Sequence, residues 1–178
     1  TSLLSSAMDT RFISNLKGER NKISKIIKQS PKSFDININS LSRAYQFCRI
    51  INYIQAFCLI NAANSSYNWN ISISKALNVW SNGSIIKSSL INLFHSNYSV
   101  EKILNDKTII TDLNDFKSDL IDTIAASLKN DVSIPCFADA LNYFNQISNN
   151  SLSTNMIQAQ RNYFGSHSIK IEAKAGNN

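Results

Sequence analysis

Residues 41–63 read LSRAYQFCRIINYIQAFCLINAA and form the longest apolar stretch of the 178-residue chain. In a helix, their apolar side chains cover most of the circumference: Phe47, Ile50, Ile51, Ile54, Phe57, Leu59 and Ile60. A helix that is apolar nearly all round is typical of a buried central helix. Arg49, Asn52 and Gln55 interrupt the stretch before the roughly 18 apolar residues that a membrane span needs. It therefore predicts the central helix of a bundle and not a membrane anchor.

On the N-terminal side, apolar residues recur at helical spacing through about residue 28: Leu4, Met8, Phe12, Leu16, Ile23 and Ile27. Arg11, Asn15, Gly18 and Lys22 fall on another face of this predicted helix. Glycine costs a helix about 1 kcal/mol relative to alanine, so Gly18 indicates close packing. Pro31 ends the helix. Because Leu3 already belongs to the pattern and the first residue is not Met, we expect a fragment that begins inside a helix.

On the C-terminal side, a turn at 68–70 precedes two short helices over about 73–81 and 85–94. Thr111 is a candidate N-cap, followed by an amphipathic helix to Asn130. Ile134-Pro135 begins another helix. The chain contains no long alternating strand pattern, glycine-rich phosphate loop or internal repeat. The sequence thus predicts one all-α domain over residues 1–178, a helical bundle around 41–63.

Composition excludes several functions. The formal charge is +6, but the densest basic run, Lys17 to Lys32, lacks the interleaved aromatics of a single-strand nucleic-acid binder. We interpret it as a solvated face and expect no nucleic-acid partner. The three cysteines are widely spaced and form no CxxC motif, so we expect no metal site. Buried, reduced thiols in a cytoplasmic protein are the expectation.

Residues 155–167 read NMIQAQRNYFGSH and predict a short helix closed by Gly165. Arg161 lies on its last turn and His167 beyond its end. The two are six residues apart, about 240° around a continuous helix, so a stop at Gly165 would let both turn toward one anion. Alternatively, Arg161 complements the helix dipole beside an ordinary surface histidine. Spacing alone favours this second interpretation.

Several motifs resemble those of one family. Residues 157–167, IQAQRNYFGSH, closely resemble the IQAQRDYFGAH signature of 6-phosphogluconate dehydrogenases. Residues 11–20 resemble the family's ARxxSSLKxxR helix, and RIINYIQAF at 49–57 resembles KIISYAQGF. YNWN at 67–70, WSNGSIIK at 80–87 and IPCF at 134–137 resemble YNWxLN, WRGGCIIR and IPxPxF. The motifs occur in family order over nearly the whole chain.

The resemblance implies a decarboxylating, NADP-dependent dehydrogenase that converts 6-phosphogluconate to ribulose 5-phosphate and CO2 in the cytoplasmic pentose phosphate pathway. It places this chain in the C-terminal all-α domain of a homodimer. Both the N-terminal Rossmann domain, which binds most of the NADP, and the catalytic residues lie upstream. Arg11 matches the family's substrate-phosphate arginine, and Arg161 and His167 match residues that reach into the partner subunit's site. The chain alone is therefore expected to be inactive.

The chain departs from the family pattern in two places. Asn82, Ser84 and Lys87 replace a glycine, the cysteine and an arginine of WRGGCIIR, and the tail is short. Two alternatives remain. The chain could be a non-enzymatic, basic all-α binding module, or a decayed, inactive copy of the enzyme.

Overall fold

A computed structural model describes residues 1–28, 31–83, 88–94, 103 and 105–165. The described residues form eight helices and contain no strand, which confirms the all-α prediction. The helices are α1 (Ser2–Asn15), α2 (Lys17–Ile27), α3 (Ile38–Tyr67), α4 (Ile73–Ser81), α5 (Ser89–Phe94), α6 (Lys107–Lys129), α7 (Pro135–Ile147) and α8 (Asn155–Gly165).

The central helix α3 exists as predicted and is longer, with 30 residues. Asn37 begins it because its side chain accepts hydrogen bonds from the backbone N–H groups of Asn39 and Ser40, at 2.8 and 3.4 Å. Asn68 ends it in the left-handed conformation, with φ of 54°. Neither asparagine belongs to the apolar pattern, which explains why the predicted limits of 41 and 63 were too narrow.

Burial of α3 is confined to its middle. Its buried residues lie between Ala44 and Phe57, whereas Leu59 is 51% exposed. The expectation of an apolar helix buried nearly all round therefore fails at the C-terminal end. Within the buried part, Phe57 packs against Tyr53, Trp80 and Phe94, with ring centroids 5.4–6.2 Å apart. This aromatic cluster fixes α4 and α5 on α3.

Helix α6 packs along α3 and supplies much of the remaining core. Its N-cap is Asp106, whose carboxylate accepts from the N–H groups of Thr108 and Ile109 at 2.9 and 3.1 Å. The predicted cap, Thr111, lies inside the helix, so that prediction was wrong. Both residue types favour caps. The buried residues of α6 include Ile109, two positions before Thr111, so the helix packs on the core before the predicted cap.

The N-terminal segment differs from the single helix expected. Leu16, with φ of −81° and ψ of 40°, separates α1 from α2. The face proposed to unite Arg11, Asn15, Gly18 and Lys22 is therefore not continuous. The close packing expected at Gly18 was also wrong, because a Cβ atom built there would meet no described atom within 4 Å. The spacing of apolar residues does not reveal such a break, because one non-helical residue changes that spacing only slightly.

The helices form two compact units, Thr1–Phe144 and Asn145–Asn178. The first contains the core described above, and the second contains α8. Cys48, Cys58 and Cys136 are free thiols as predicted, although only Cys48 is buried. Among the described residues, no helix combines the length and apolarity that crossing a bilayer requires.

Candidate functional site

The five arginines of the chain divide into two groups. Three donate hydrogen bonds within the chain: Arg43 to Asp119 and to the carbonyl of Asp115, Arg49 to Ser88, and Arg20 to the carbonyl of Ser14. The guanidinium groups of Arg11 and Arg161 make no hydrogen bond or ion pair with any described residue. Since a guanidinium presents five donors in a planar fork that suits phosphate, these two are the arginines available to bind an anion.

Arg11 lies on α1 and its side chain is exposed. Its backbone carbonyl accepts a hydrogen bond from the Ser14 hydroxyl at 2.6 Å, while its guanidinium donates to no acceptor among the described residues. A charged guanidinium that is not neutralised internally can give bidentate hydrogen bonds to a phosphate group. The structure thus leaves Arg11 in the condition that its predicted role requires.

Hydrogen bonds fix the beginning of α1. They supplement a small apolar contact, since Leu3 is the one buried residue of this helix. Gln55, in the middle of α3, accepts a hydrogen bond from the Leu3 N–H at 3.2 Å and donates to the Ser2 hydroxyl at 3.0 Å. Ser6 donates to the carboxylate of Asp139 on α7. The sequence predicts neither contact, because Gln55 appears there as a polar interruption of the apolar helix and as part of the 49–57 motif.

A cleft of about 420 Å³ lies beside α1, lined by Ser6, Asp9, Thr10, Ile13, Ser14, Arg20, Ser133 and Pro135. Arg11 does not line it. Arg20 is held at its edge by the 3.0 Å hydrogen bond to the Ser14 carbonyl. The cleft and the Arg11 side chain are therefore separate features of the same helix.

Arg161 lies on α8, which corresponds to the short helix predicted within residues 155–167. It lines a depression of about 300 Å³ together with Ile157, Gln160, Phe164 and Gly165. No residue of α8 is buried, and Met156, Tyr163 and Phe164 each expose more than three-quarters of their surface. An exposed cation beside apolar side chains has the character of a contact surface.

The third predicted site residue, His167, lies outside the described residues. The proposed convergence of Arg161 and His167 on one anion therefore stays a prediction. Ser84 and Lys87, which replace family residues, and the tail from residue 166 also fall outside the described residues. Arg11 belongs to the first unit and Arg161 to the second, so each is placed within its own unit.

Other reactive groups are held in their protonated forms. Burial, followed by the neighbouring Cys136, raises the pKa of the Cys48 thiol to about 12. Burial, followed by the charge of Asp139, raises the pKa of Cys136. Burial and the nearby Cys58, 3.9 Å from its hydroxyl, raise the pKa of Tyr143 to about 12. None of the three is poised as a nucleophile or base at neutral pH. In the described part of the chain, no three His, Cys, Asp or Glu residues cluster as metal ligands.

Comparison with known proteins identifies the architecture. The model of the 6-phosphogluconate dehydrogenase C-terminal domain family matches residues 1–178. The chain is 31% identical to the decarboxylating 6-phosphogluconate dehydrogenase of Buchnera aphidicola and 27% identical to that of Staphylococcus aureus. Each match covers 98% of this chain and 39% of the relative, so the chain spans about two-fifths of their length.

A solved structure agrees with these sequence matches. The 6-phosphogluconate dehydrogenase of Plasmodium falciparum superposes with a TM-score of 0.83 at 27% identity. The match covers 98% of this chain and 39% of that one. The Plasmodium enzyme has been solved in its apo form, with its cofactor NADP+ and with its substrate 6-phosphogluconate.

Proposed function

The chain belongs to the 6-phosphogluconate dehydrogenase family, and from that premise we propose that it is the C-terminal, all-α part of an enzyme that oxidises and decarboxylates 6-phosphogluconate. The products are ribulose 5-phosphate and CO2, with NADP as the hydride acceptor. Within that enzyme this chain supplies cations for the substrate phosphate and surface for the dimer. It belongs to the pentose phosphate pathway in the cytoplasm, where its three free thiols would stay reduced.

The division of the arginines carries this proposal. Arg11 and Arg161 match the family's substrate arginines, and they are the two whose side chains have no partner among the described residues. Arginines that serve the fold are engaged in it, as Arg43 is with Asp119 at 2.6 Å. An exposed, unpaired arginine can give its full set of donors to a phosphate.

Coenzyme binding and the chemical steps lie elsewhere in the protein. The 178 residues contain no glycine-rich dinucleotide motif. The thiols and Tyr143 are protonated at neutral pH, for the reasons given above. We therefore place the catalytic groups and most of the NADP site in the part of the relatives that this chain does not span.

Assays of NADPH formation test the proposal. With 6-phosphogluconate and NADP, the complete enzyme should produce NADPH, which is detected by its absorbance. The 178-residue chain should produce none. NADPH formation by the chain alone would refute the placement of the catalytic groups. A complete protein with no activity toward 6-phosphogluconate would refute the proposed function.

Together with His167, Arg161 binds the substrate in the active site of the partner subunit. Its position on α8, a helix without a buried residue, supports this step. A mixed dimer tests this step, formed from one Arg11→Ala subunit and one Arg161→Ala subunit. If Arg161 acts across the dimer, one site receives both changes and the other receives neither, so about half of the activity returns. If Arg161 acts within its own subunit, each site carries one change and activity does not return.

A further inference from the structure

We propose that Gln55 is a positioning residue for substrate binding, which sets the place of Arg11 by holding the first turn of α1. The inference rests on the proposed function of Arg11. Gln55 lies in the middle of α3, exposes 3% of its surface and is one of three buried polar residues among those described. A polar residue is costly in such a position unless it is hydrogen-bonded, so its contacts indicate why it is there.

Both ends of the Gln55 amide are used on α1. Its oxygen accepts from the N–H of Leu3 at 3.2 Å, and its nitrogen donates to the Ser2 hydroxyl at 3.0 Å. The first N–H groups of a helix have no partner within the helix. Gln55 therefore acts as a cap supplied from 52 residues away in sequence, which ties the start of α1 to the central helix.

Few other contacts fix α1. Leu3 is its one buried residue, and Leu4, Met8 and Phe12 are each more than half exposed. Two other hydrogen bonds join α1 to described side chains, one from Ser6 to Asp139 on α7 and one from Arg20 on α2 to the Ser14 carbonyl. Since α2 buries no residue, the contacts that tie α1 to the buried core lie in its first half, and Arg11 lies beyond them. The direction of α1 therefore depends strongly on its first turn.

Helix geometry gives the size of the effect. Arg11 lies eight residues beyond Leu3, about 12 Å along the axis at 1.5 Å per residue. A tilt of about 10° at the first turn would move the Arg11 backbone by about 2 Å. A shift of this size is close to the length of a charged hydrogen bond, about 2.7–2.9 Å, so it would weaken or break the contact between Arg11 and the phosphate. Loss of the Gln55 contacts should therefore weaken substrate binding without a change at Arg11 itself.

The test uses the complete enzyme and a double-mutant cycle. Gln55→Met keeps the length of the side chain and removes both hydrogen bonds, and we expect KM for 6-phosphogluconate to rise about tenfold with kcat changed less than about threefold. Gln55→Glu keeps an acceptor for the Leu3 N–H at a helix end that favours negative charge, and it should hold KM within about threefold of the parent. In an Arg11→Ala background, Gln55→Met should change KM less than about twofold, because the group that it positions is gone.

Controls separate positioning from general damage to the core. Ile50→Val changes another buried residue of α3, five positions before Gln55 and so about 140° around the helix from it. It should lower Tm with KM unchanged. If Gln55→Met fails to fold, Ser2→Ala removes one of the two hydrogen bonds from an exposed position and should raise KM about threefold.

Three results would count against the inference. An unchanged KM in Gln55→Met, while Arg11→Ala raises KM, overturns the positioning role alone. Additive effects in the double variant also overturn it, because Gln55 would then act independently of Arg11. An unchanged KM in Arg11→Ala overturns both the proposed role of Arg11 and the inference built on it.

Discussion

Replacing Arg11 by alanine should separate the effect on substrate binding from the effect on stability. Its guanidinium has no partner among the described residues, so the folded chain loses no contact when it is removed. Alanine also has the higher helix propensity. We therefore expect the free energy of unfolding to change by less than about 0.5 kcal/mol.

The effect on the substrate should be large. A hydrogen bond to a charged group contributes about 1.5–3 kcal/mol, which corresponds to a rise in KM of roughly ten- to a hundredfold. If the phosphate contact is equally strong in the ground state and the transition state, kcat stays near the parent value. Arg11→Lys keeps the charge but not the planar fork, so its KM should lie between that of the parent enzyme and that of Arg11→Ala.

Arg20→Ala is the matched control, since Arg20 is also exposed and lies on the neighbouring helix α2. Its guanidinium donates to the Ser14 carbonyl across the break at Leu16. Its loss should lower stability by about 0.5–1.5 kcal/mol and leave KM unchanged. Steady-state kinetics and thermal unfolding of the complete enzyme give the four values required, which are KM and Tm for each of the two variants.

The reasoning predicts a crossed result, with KM affected by Arg11 and Tm by Arg20. If Arg11→Ala lowers Tm and leaves KM unchanged, Arg11 serves the fold and the match to the family's phosphate arginine is misleading at this position. If both variants raise KM equally, the basic charge of the region attracts the substrate and no specific contact is involved. Salt would then abolish the difference from the parent enzyme.

Three further predictions concern the fold. Asp106→Ala removes the side-chain cap of α6 and should cost about 1 kcal/mol of stability, measured by chemical denaturation, whereas Thr111→Ala should cost less because Thr111 does not cap the helix. Phe57→Ala empties the centre of the aromatic cluster and should cost about 3–5 kcal/mol, and a loss below about 1 kcal/mol would contradict the packing described. Because the pKa of Cys48 is raised from 9.0 to about 12 on folding, the unfolded chain loses this proton first as pH rises. Stability should then fall between pH 9 and about 12, by up to about 1.4 kcal/mol per pH unit, and Cys48→Ala should reduce that slope in unfolding experiments at several pH values.

Features that repeat along the chain were accessible from the sequence. The apolar residues of 41–63 predict α3, and Pro135 marks the start of α7, because a proline at the first helical position loses no hydrogen bond. The turn after Tyr67 was also predicted. Asn68 and Asn70 both adopt φ of 54°, a conformation that asparagine tolerates better than most residues. Local chemistry is enough to specify these features.

Features that depend on a partner distant in sequence were not accessible. The Gln55 cap joins residues 52 positions apart, and Ser6 reaches Asp139 across 133. The polar and apolar pattern of the helix does not distinguish Gln55 from Asn52, which is exposed on the same helix, and the match of Gln55 to the 49–57 motif does not reveal its partner. Likewise, Arg11 and Arg20 both read as exposed helix cations. Only the structure shows that Arg20 is engaged within the chain.

The placement of the cations separates recognition from stability in this chain. The aromatic and aliphatic core is built mainly on α3 and α6. Arg43 of α3 forms an ion pair with Asp119 of α6, so its charge is neutralised within the chain. Arg11 and Arg161 instead lie on α1, which buries one residue, and on α8, which buries none. A charge kept in water avoids the penalty of burial and is desolvated only when an anion arrives. Weakly buried helices, however, hold their side chains in place less firmly than a core does. A binding residue on such a helix needs contacts that fix the helix direction, and the buried amide of Gln55 provides them at the first turn of α1.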